Sequence, residues 1–360
     1  MSKNCILWFR KDLRLYDNPS IVQASAYDKI LPVFIFDRHL YEYKSIGSAS
    51  LWWLENSLQS LRKRLSENLL ILDGDSYEII PKLCNLYSAE AVFWNRCYEP
   101  DRIAKDKKIK NFLKESNIKA ISSNANLLWE PWTIKNKSGT FYKVFTPFYN
   151  RGCLEAEPPR KPLDIPKVLK FQPLEGNFSL YKFKLLNKKS HWSNKFYKYW
   201  VTGEQAARKK LKAFLLDAGN SYSEGRNFPA KKLVSKLSPY LHWGEISPFH
   251  VWHSAKKEMT GINKNVFLSE IAWREFSYYL LYHFPKINSD NLKPNFNSFK
   301  WQNNREHIKL WSKGKTGYPI IDAGMRELWE TGYMHNRLRM ITSSFLVKNL
   351  LSHWKHGEKW

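Results

Sequence analysis

Residues 311–340 read WSKGKTGYPIIDAGMRELWETGYMHNRLRM, from Trp311 to Met340. A glycine-punctuated turn, Gly314-Lys315-Thr316-Gly317-Tyr318-Pro319, precedes a helical pattern that begins at Ile320. A break at Thr331-Gly332 leads into a second helix, expected to run from Met334 towards His353. On it Asn336, Arg339 and Met340 fall at i, i+3 and i+4, which places an amide, a guanidinium and a thioether on one face. Such a face is either packed interior with one buried ion pair or the lining of a pocket for a large, planar, polar-rimmed ligand. The spacing alone leaves both open.

Working outward, the chain has 360 residues, enough for two or more domains with ample core. Lys and Arg number 58 against 33 Asp and Glu, a formal charge of +25. A lysine-rich solvated surface accounts for part of that surplus but not for the shortage of acids. The balance favours a polyanionic partner, nucleic acid ahead of an anionic membrane. The 16 Trp residues suit a core, and also stacking against bases or a flat cofactor. Cys5, Cys84, Cys97 and Cys153 lie far apart, so neither a zinc site nor a redox dithiol is indicated and a reduced cytosolic setting is expected. The start, MSKNCILWFRKDLR, lacks the apolar run of a signal peptide, and no stretch is long and apolar enough for a membrane span.

The first part of the chain alternates apolar runs with helical patterns. Cys5–Phe9, Leu31–Phe36, Leu69–Leu72 and Ala91–Trp94 read as buried strands. Pro19–Ala26, Ser48–Leu65, Tyr77–Tyr87 and Asp101–Ser116 read as the helices between and after them. This alternation predicts a parallel, Rossmann-like α/β sheet with right-handed crossovers. No G-x-G-x-x-G follows the first strand, and Gly314-Lys315-Thr316 lacks the leading glycine of a phosphate loop. Arg10-Lys11-Asp12-Leu13-Arg14, at the carboxyl end of the first strand, reads as a structural ion-pair cluster in preference to a crevice rim.

Near Leu127 the pattern becomes irregular and aromatic. From Glu155 to Trp200 it reads as a long linker rich in Pro, Lys, Asn and Ser. From Gly203 onward the periodicity is helical: one helix to about Asp217, a loop Tyr222–Pro229, a helix entered through Ser235-Lys236-Leu237-Ser238, and a strong helix over Phe267–His283. Hydroxyls at a helix start serve either as a phosphate seat or as ordinary caps. Glu270, Trp273 and Arg274 fall at i, i+3 and i+4, a set costly to bury in a plain core. The pairs His250/His253 and His353/His356 lack accompanying ligands and are not read as metal sites.

Seven motifs stand in one order: Trp8-Phe9-Arg10-Lys11-Asp12-Leu13-Arg14; Tyr142-Lys-Val-Phe-Thr-Pro-Phe148; Tyr222 followed by Arg226-Asn-Phe-Pro229; Leu237-Ser238-Pro239-Tyr240-Leu241; Glu270-Ile-Ala-Trp273-Arg274-Glu275-Phe276; Gly314-Lys-Thr-Gly-Tyr-Pro-Ile320; and Met334-His-Asn-Arg-Leu-Arg-Met340. Together they resemble the photolyase/cryptochrome family from end to end, most of all the class I cyclobutane pyrimidine dimer photolyases. The resemblance implies an α/β antenna domain over residues 1–130, an interdomain linker over 131–200 and an all-α FAD- and DNA-binding domain over 201–360. It implies a light-driven enzyme in which excited reduced flavin passes an electron to a flipped-out pyrimidine dimer. Base flipping by photolyases is a worked example of the general behaviour of base-acting enzymes.

By the same resemblance Tyr222, Val234, Ser235, Lys236, Leu237 and Ser238 contact the FAD phosphates, with Val234 standing where many relatives carry a hydroxyl. Arg274, Asn336 and Arg339 complete the cofactor set. Glu270, Trp273, Arg274, Asn336, Arg337 and Met340 face the lesion and its DNA. Asn336 favours dimer repair, because the (6-4) branch carries histidine there. Trp301 and Trp354 match two members of a tryptophan electron relay. Glu99 resembles a carboxylate that binds an antenna chromophore, methenyltetrahydrofolate in some relatives and deazaflavin in others.

The partner implied is DNA containing pyrimidine dimers, met by a monomer in the cytoplasm at the nucleoid, without a membrane. The family's chains run on for about a quarter of their length past the position of Trp360. The chain is therefore expected to be shortened, with Arg339 left unpaired if buried. The alternatives are a cryptochrome-like photoreceptor and a basic DNA-binding remnant without activity.

Overall fold

The apolar runs of the first part pair as β1 (Asn4–Phe9), β2 (Lys29–Phe36), β3 (Leu70–Asp73) and β4 (Ala91–Asn95), joined by an edge strand β5 (Lys119–Ser123). In the computed structural model the described residues are 2–37, 40, 46–174 and 191–360, so residues 175–190 of the expected linker lie outside them. The sheet order is β3-β2-β1-β4-β5, with every neighbouring pair parallel. Parallel neighbours need crossovers. These contain α1 (Pro19–Ala24), α2 (Ser48–Arg64), α3 (Ser76–Leu86) and α4 (Pro100–Glu115). Helices on both faces explain why the inner strands are continuously apolar and do not alternate. Ile6, Trp8, Leu31, Val33, Leu70, Val92 and Trp94 form the centre of that core.

The sequence reading missed β5. Its residues, KAISS, are mostly small or polar and half-exposed, as suits an edge strand paired on one side only. Two boundaries also shift. Tyr222–Gly225, expected as loop, makes a helical turn. The helix expected from Met334 towards His353 spans Asn336–Ser344, widens over Phe345–Asn349 and then breaks, with Leu351 in a left-handed conformation at φ +47°.

The chain forms two compact units. The first comprises Met1–Asn187, Thr202–Asn220 and Ser235–Asn288; the second comprises Lys188–Val201, Ser221–Val234 and Ser289–Trp360. In the first, the sheet is joined by α5 (Glu204–Asp217), α6 (Ser238–Trp243), α7 (Pro248–Glu258) and α8 (Gly261–His283). Buried carboxylates tie these helices to the sheet layer. Glu204 accepts the N–H groups of Leu15 (2.8 Å) and Tyr16 (3.0 Å) and pairs with Arg64. Glu275 accepts the Leu128 N–H at 2.6 Å.

The second unit holds α9 (Arg305–Ser312), α10 (Pro319–Thr331), α11 (Asn336–Ser344) and α12 (Trp354–Lys359). Trp311, Ile321, Met325, Met334, Leu338 and Leu346 pack at its centre. The glycine-punctuated turn before α10 is closed by Asp322. Its carboxylate accepts from the Thr316 N–H and hydroxyl and from the Gly317 N–H. That arrangement is structural, and it accounts for Gly314-Lys315-Thr316 without a phosphate.

Candidate functional site

In open α/β sheets the carboxyl ends of the strands at a reversal of order form a crevice. Here that point lies between β1 and β4. Arg10 bonds Asp106 (2.6 Å) and the Asn95 carbonyl (2.5 Å). The Asp12 carboxylate accepts from the Arg10 N–H and from the Asn95 amide, each at 2.6 Å. Arg14 is fully buried and donates to the carbonyls of Tyr16, Asp17, Ala125 and Gly244. These residues form a buried, ion-paired polar knot, as the structural reading of the motif expected.

Glu99, at the start of α4, lies beside this knot and pairs with Lys11. Burial alone would raise its pKa, but the Lys11 ammonium and Arg102 hold the carboxyl well below the usual range. Burial, with Lys11 and Arg274 nearby, pushes His242 down to about 3, so the imidazole is neutral. Glu99 is therefore a charged, tethered carboxylate on the sheet side of the first unit.

Ser235, Lys236, Leu237 and Ser238 lead into α6, where Leu237 is the N-cap and makes no side-chain cap bond. Among the described residues the hydroxyls of Ser235 and Ser238 have no hydrogen-bond partner, and Ser238 is exposed. These serines do not cap the helix, which leaves them available to an outside acceptor. Lys236 takes φ +52°, turning the backbone sharply between the two serines. Two unengaged hydroxyls on a tight turn suit the oxygens of an anion, while the Val234 side chain adds no donor.

On α8, Trp273 is 46% exposed, one helical turn from the half-buried Glu270. One face of the indole stacks on Phe145 (centroids 3.8 Å apart, planes 10°), and Phe276 meets it edge-on at 5.9 Å. Arg274 points differently from its neighbour. It donates to the Asn126 carbonyl (2.7 Å), pairs with Glu275 (3.0 Å) and lies over the Tyr278 ring. The sequence missed Phe145 as part of this arrangement, although it sits inside the quoted motif Tyr142–Phe148.

In the second unit Tyr222 is buried beneath the Arg226 guanidinium. Asn336 opens α11, and His335 caps that helix by accepting the Arg337 N–H. Asn336, Arg339 and Met340 are all exposed, so their shared face is not packed interior. Arg339 is not buried and unpaired: its Nε donates to the Met334 carbonyl at 3.3 Å. It borders a cavity of about 270 Å³ lined also by Trp311, Met325, Met334, Leu346 and Trp354. Arg337 is held by two bonds to the Asn227 amide oxygen, 2.6 and 2.9 Å, and reaches Met340 Sδ at 3.5 Å. Asn227 is thus a positioning residue inside the Arg226–Pro229 motif.

Trp301 meets the His353 ring edge-on at 5.2 Å, and His353 lies against Trp354 at 5.4 Å. The Trp354 indole N–H donates to Asn291 at 2.9 Å. The two expected relay indoles therefore belong to one aromatic run.

Residues 5–167 match the DNA photolyase family model and residues 267–360 match the FAD binding domain of DNA photolyase. A deoxyribodipyrimidine photo-lyase from Agrobacterium fabrum is 42% identical over 99% of this chain and 75% of its own length. Cryptochrome-2 of Arabidopsis thaliana is 35% identical over 100% of this chain and 62% of its own length. Among solved structures, a bacterial class III photolyase from Agrobacterium tumefaciens superposes with a TM-score of 0.93 at 40% identity, covering 100% of this chain and 76% of that one. A Synechocystis cryptochrome superposes with a TM-score of 0.86 at 25% identity, covering 100% of this chain and 78% of that one. The expectation of a shortened chain gains no support here, because coverage measures the extent of a likeness and not where this protein ends. The parallel α/β sheet, the helical remainder, the matched FAD binding domain and these identities together place the chain in the photolyase/cryptochrome family.

Proposed function

We propose that this protein repairs DNA by light-driven, FAD-dependent electron transfer that splits cyclobutane pyrimidine dimers. The observation that carries the reading is Trp273, a large indole held exposed one turn from Glu270. An exposed aromatic with one face free is what an everted base pair needs for stacking, and the carboxylate beside it suits the hydrogen-bonding edge of a pyrimidine. FAD, when bound, supplies the light-absorbing electron donor. In the first unit Ser235, Lys236, Leu237, Ser238 and Arg274 would contact it, and in the second Tyr222, Val234, Asn336 and Arg339 would. The proposed lesion contacts are Glu270, Trp273 and Arg274 in the first unit and Asn336, Arg337 and Met340 in the second. The charge of +25 supports attraction to the phosphate backbone. Glu99 is the candidate contact for an antenna chromophore.

The proposal assigns an antenna role to residues 1–130, a linker to 131–200 and FAD and DNA binding to 201–360, in a monomer acting on cytoplasmic DNA. No helix among the described residues is long and apolar enough to cross a membrane.

Blue-light repair of a thymine-dimer oligonucleotide, absent in the dark, is the test. The cryptochrome likeness supports a second reading, photoreception without repair. Flavin photoreduction with no loss of dimers would establish that reading instead. Trp273→Ala is expected to weaken binding of dimer-containing DNA by about 1–3 kcal/mol, roughly 5- to 150-fold, with little change for undamaged DNA. A titration of both DNAs by gel shift checks it, and an equal loss for both would refute the stacking role.

Trp301 and Trp354 carry electrons inward along the aromatic run. Trp301→Phe and Trp354→Phe are each expected to abolish most photoreduction of the oxidised flavin while sparing repair by chemically pre-reduced protein. Unchanged photoreduction in both variants would remove the relay assignment.

A further inference from the structure

The motif Tyr142–Phe148 has no part in the roles assigned above, yet it supplies the ring against which Trp273 rests. Phe145 lies parallel to Trp273 at 3.8 Å, and Tyr149 lies parallel to Phe145 on the same segment at 5.7 Å and 13°. Phe276 closes the edge of the Phe145 ring at 5.9 Å. The segment carrying Phe145 is anchored to α8 rather than loosely draped. Phe148 is buried against Phe276 and Tyr279 at 5.0 and 4.7 Å. The Tyr142 N–H donates to the Tyr279 hydroxyl, which donates to the Ile134 carbonyl. Among the described residues, no ring other than Phe145 and Phe276 touches Trp273. The indole therefore has one face backed, one edge blocked and one face open.

We infer that Phe145, supported by Tyr149, is a positioning residue that holds the Trp273 indole flat as a stacking platform for an unpaired base of the lesion. An indole free to rotate about its two side-chain torsions must lose that freedom when a base stacks on it. A platform already fixed by a parallel ring has lost it beforehand, and the saving appears as affinity. The inference rests on the reading of Trp273 as the lesion-stacking residue. It assigns the ring stack a place in recognition and leaves the electron transfer itself untouched.

The test compares Phe145→Ala, Phe145→Leu and Phe145→Tyr in the full chain loaded with FAD, alongside Trp273→Ala. The readouts are affinity for a thymine-dimer oligonucleotide, affinity for the same undamaged sequence over a range of salt, flavin content and melting temperature. Phe145→Ala and Phe145→Leu are expected to weaken dimer binding about 3- to 10-fold, with Phe145→Tyr near wild type, because only a flat ring restores the stack. The salt slope on undamaged DNA is expected to stay unchanged, since no phosphate contact is lost.

If Trp273→Ala leaves the preference for damaged DNA intact, the underlying reading fails. If Trp273→Ala abolishes the preference while Phe145→Ala and Phe145→Leu retain it, the present inference fails alone. Tighter dimer binding by Phe145→Ala would also overturn it, by showing that the ring occupies the lesion's place. Phe145→Leu keeps most of the buried volume, so it separates stacking from folding should the alanine variant lose its structure.

Discussion

Gly244→Ala is expected to destabilise the protein by about 4 kcal/mol or more. Gly244 ends α6 in the left-handed conformation, φ +68°, where a side chain costs about 1–2 kcal/mol by itself. The greater part is steric. A Cβ at this position would collide with the Lys11 carbonyl oxygen and lie 2.6 Å from Asp12 Cα. Neither backbone can retreat easily. The Leu13 N–H donates to the Trp243 carbonyl at 3.1 Å, and Arg14 clasps the Gly244 carbonyl at 3.0 Å while serving Asp17 and Ala125. Gly261 provides the comparison. It too has positive φ, +52°, but an added Cβ there meets nothing within 4 Å. Gly261→Ala is therefore expected to cost only about 1 kcal/mol. Urea denaturation of both variants measures the difference, and two equal midpoints would show that the knot between β1 and α6 yields.

The second large effect is a dependence of stability on pH set by buried carboxyl groups. Glu245 accepts from the Trp53 indole N–H (2.8 Å), the Ser57 hydroxyl (2.6 Å) and the Gly203 N–H. Burial nevertheless pushes its carboxyl up to about 7, against those three donors. Glu275 is likewise pushed by burial to about 7, against Arg274 and the Leu128 and Trp129 N–H groups. A carboxyl whose pKa is higher folded than unfolded binds its proton more tightly in the folded protein. Its stabilising contribution is complete below the unfolded value of about 4.5 and is lost as pH rises through about 7. Each group is expected to contribute a fall of order 1–3 kcal/mol between pH 5 and 8. Glu99 acts outside that window, because its lowered pKa places its effect in more acid solution.

Glu245→Gln mimics the protonated form, so it is expected to flatten about half of the fall while matching wild type near pH 5. Denaturant midpoints at pH 5 and 8 decide it. A variant equally destabilised at both values would show that Glu245 is ionised throughout. Glu245→Ala is expected to cost several kcal/mol at every pH, because it strands three buried donors.

The features legible in the sequence were those written over short distances. The apolar runs of β1 to β4, and the helical periods of α5, α8 and α10, depend on near neighbours in the chain, and a parallel sheet was readable from their alternation. Strand β5 was not readable, since KAISS becomes a strand only because β4 offers it an unpaired edge. The exposure of Trp273 was foreshadowed by a residue set too polar for a plain core, but the ring behind it was not. Phe145 lies more than a hundred positions away, and nothing local marks it as a stacking partner. The tie between Arg337 and Asn227 was hidden for the same reason.

By itself, the order of residues determined the class of the fold and the family, and nominated the side chains proposed to meet a flavin and a damaged base. Tertiary structure alone decided what each of those side chains meets in the folded chain. It gave Arg274 bonds to Glu275 and the Asn126 carbonyl and Glu99 an ion pair with Lys11, and it left Trp273 with an open face and, among the described residues, the hydroxyls of Ser235 and Ser238 without hydrogen-bond partners. The physical reason is that propensity and periodicity are properties of neighbouring residues. Whether a polar group is satisfied depends on whatever the folded chain brings within about 3 Å of it.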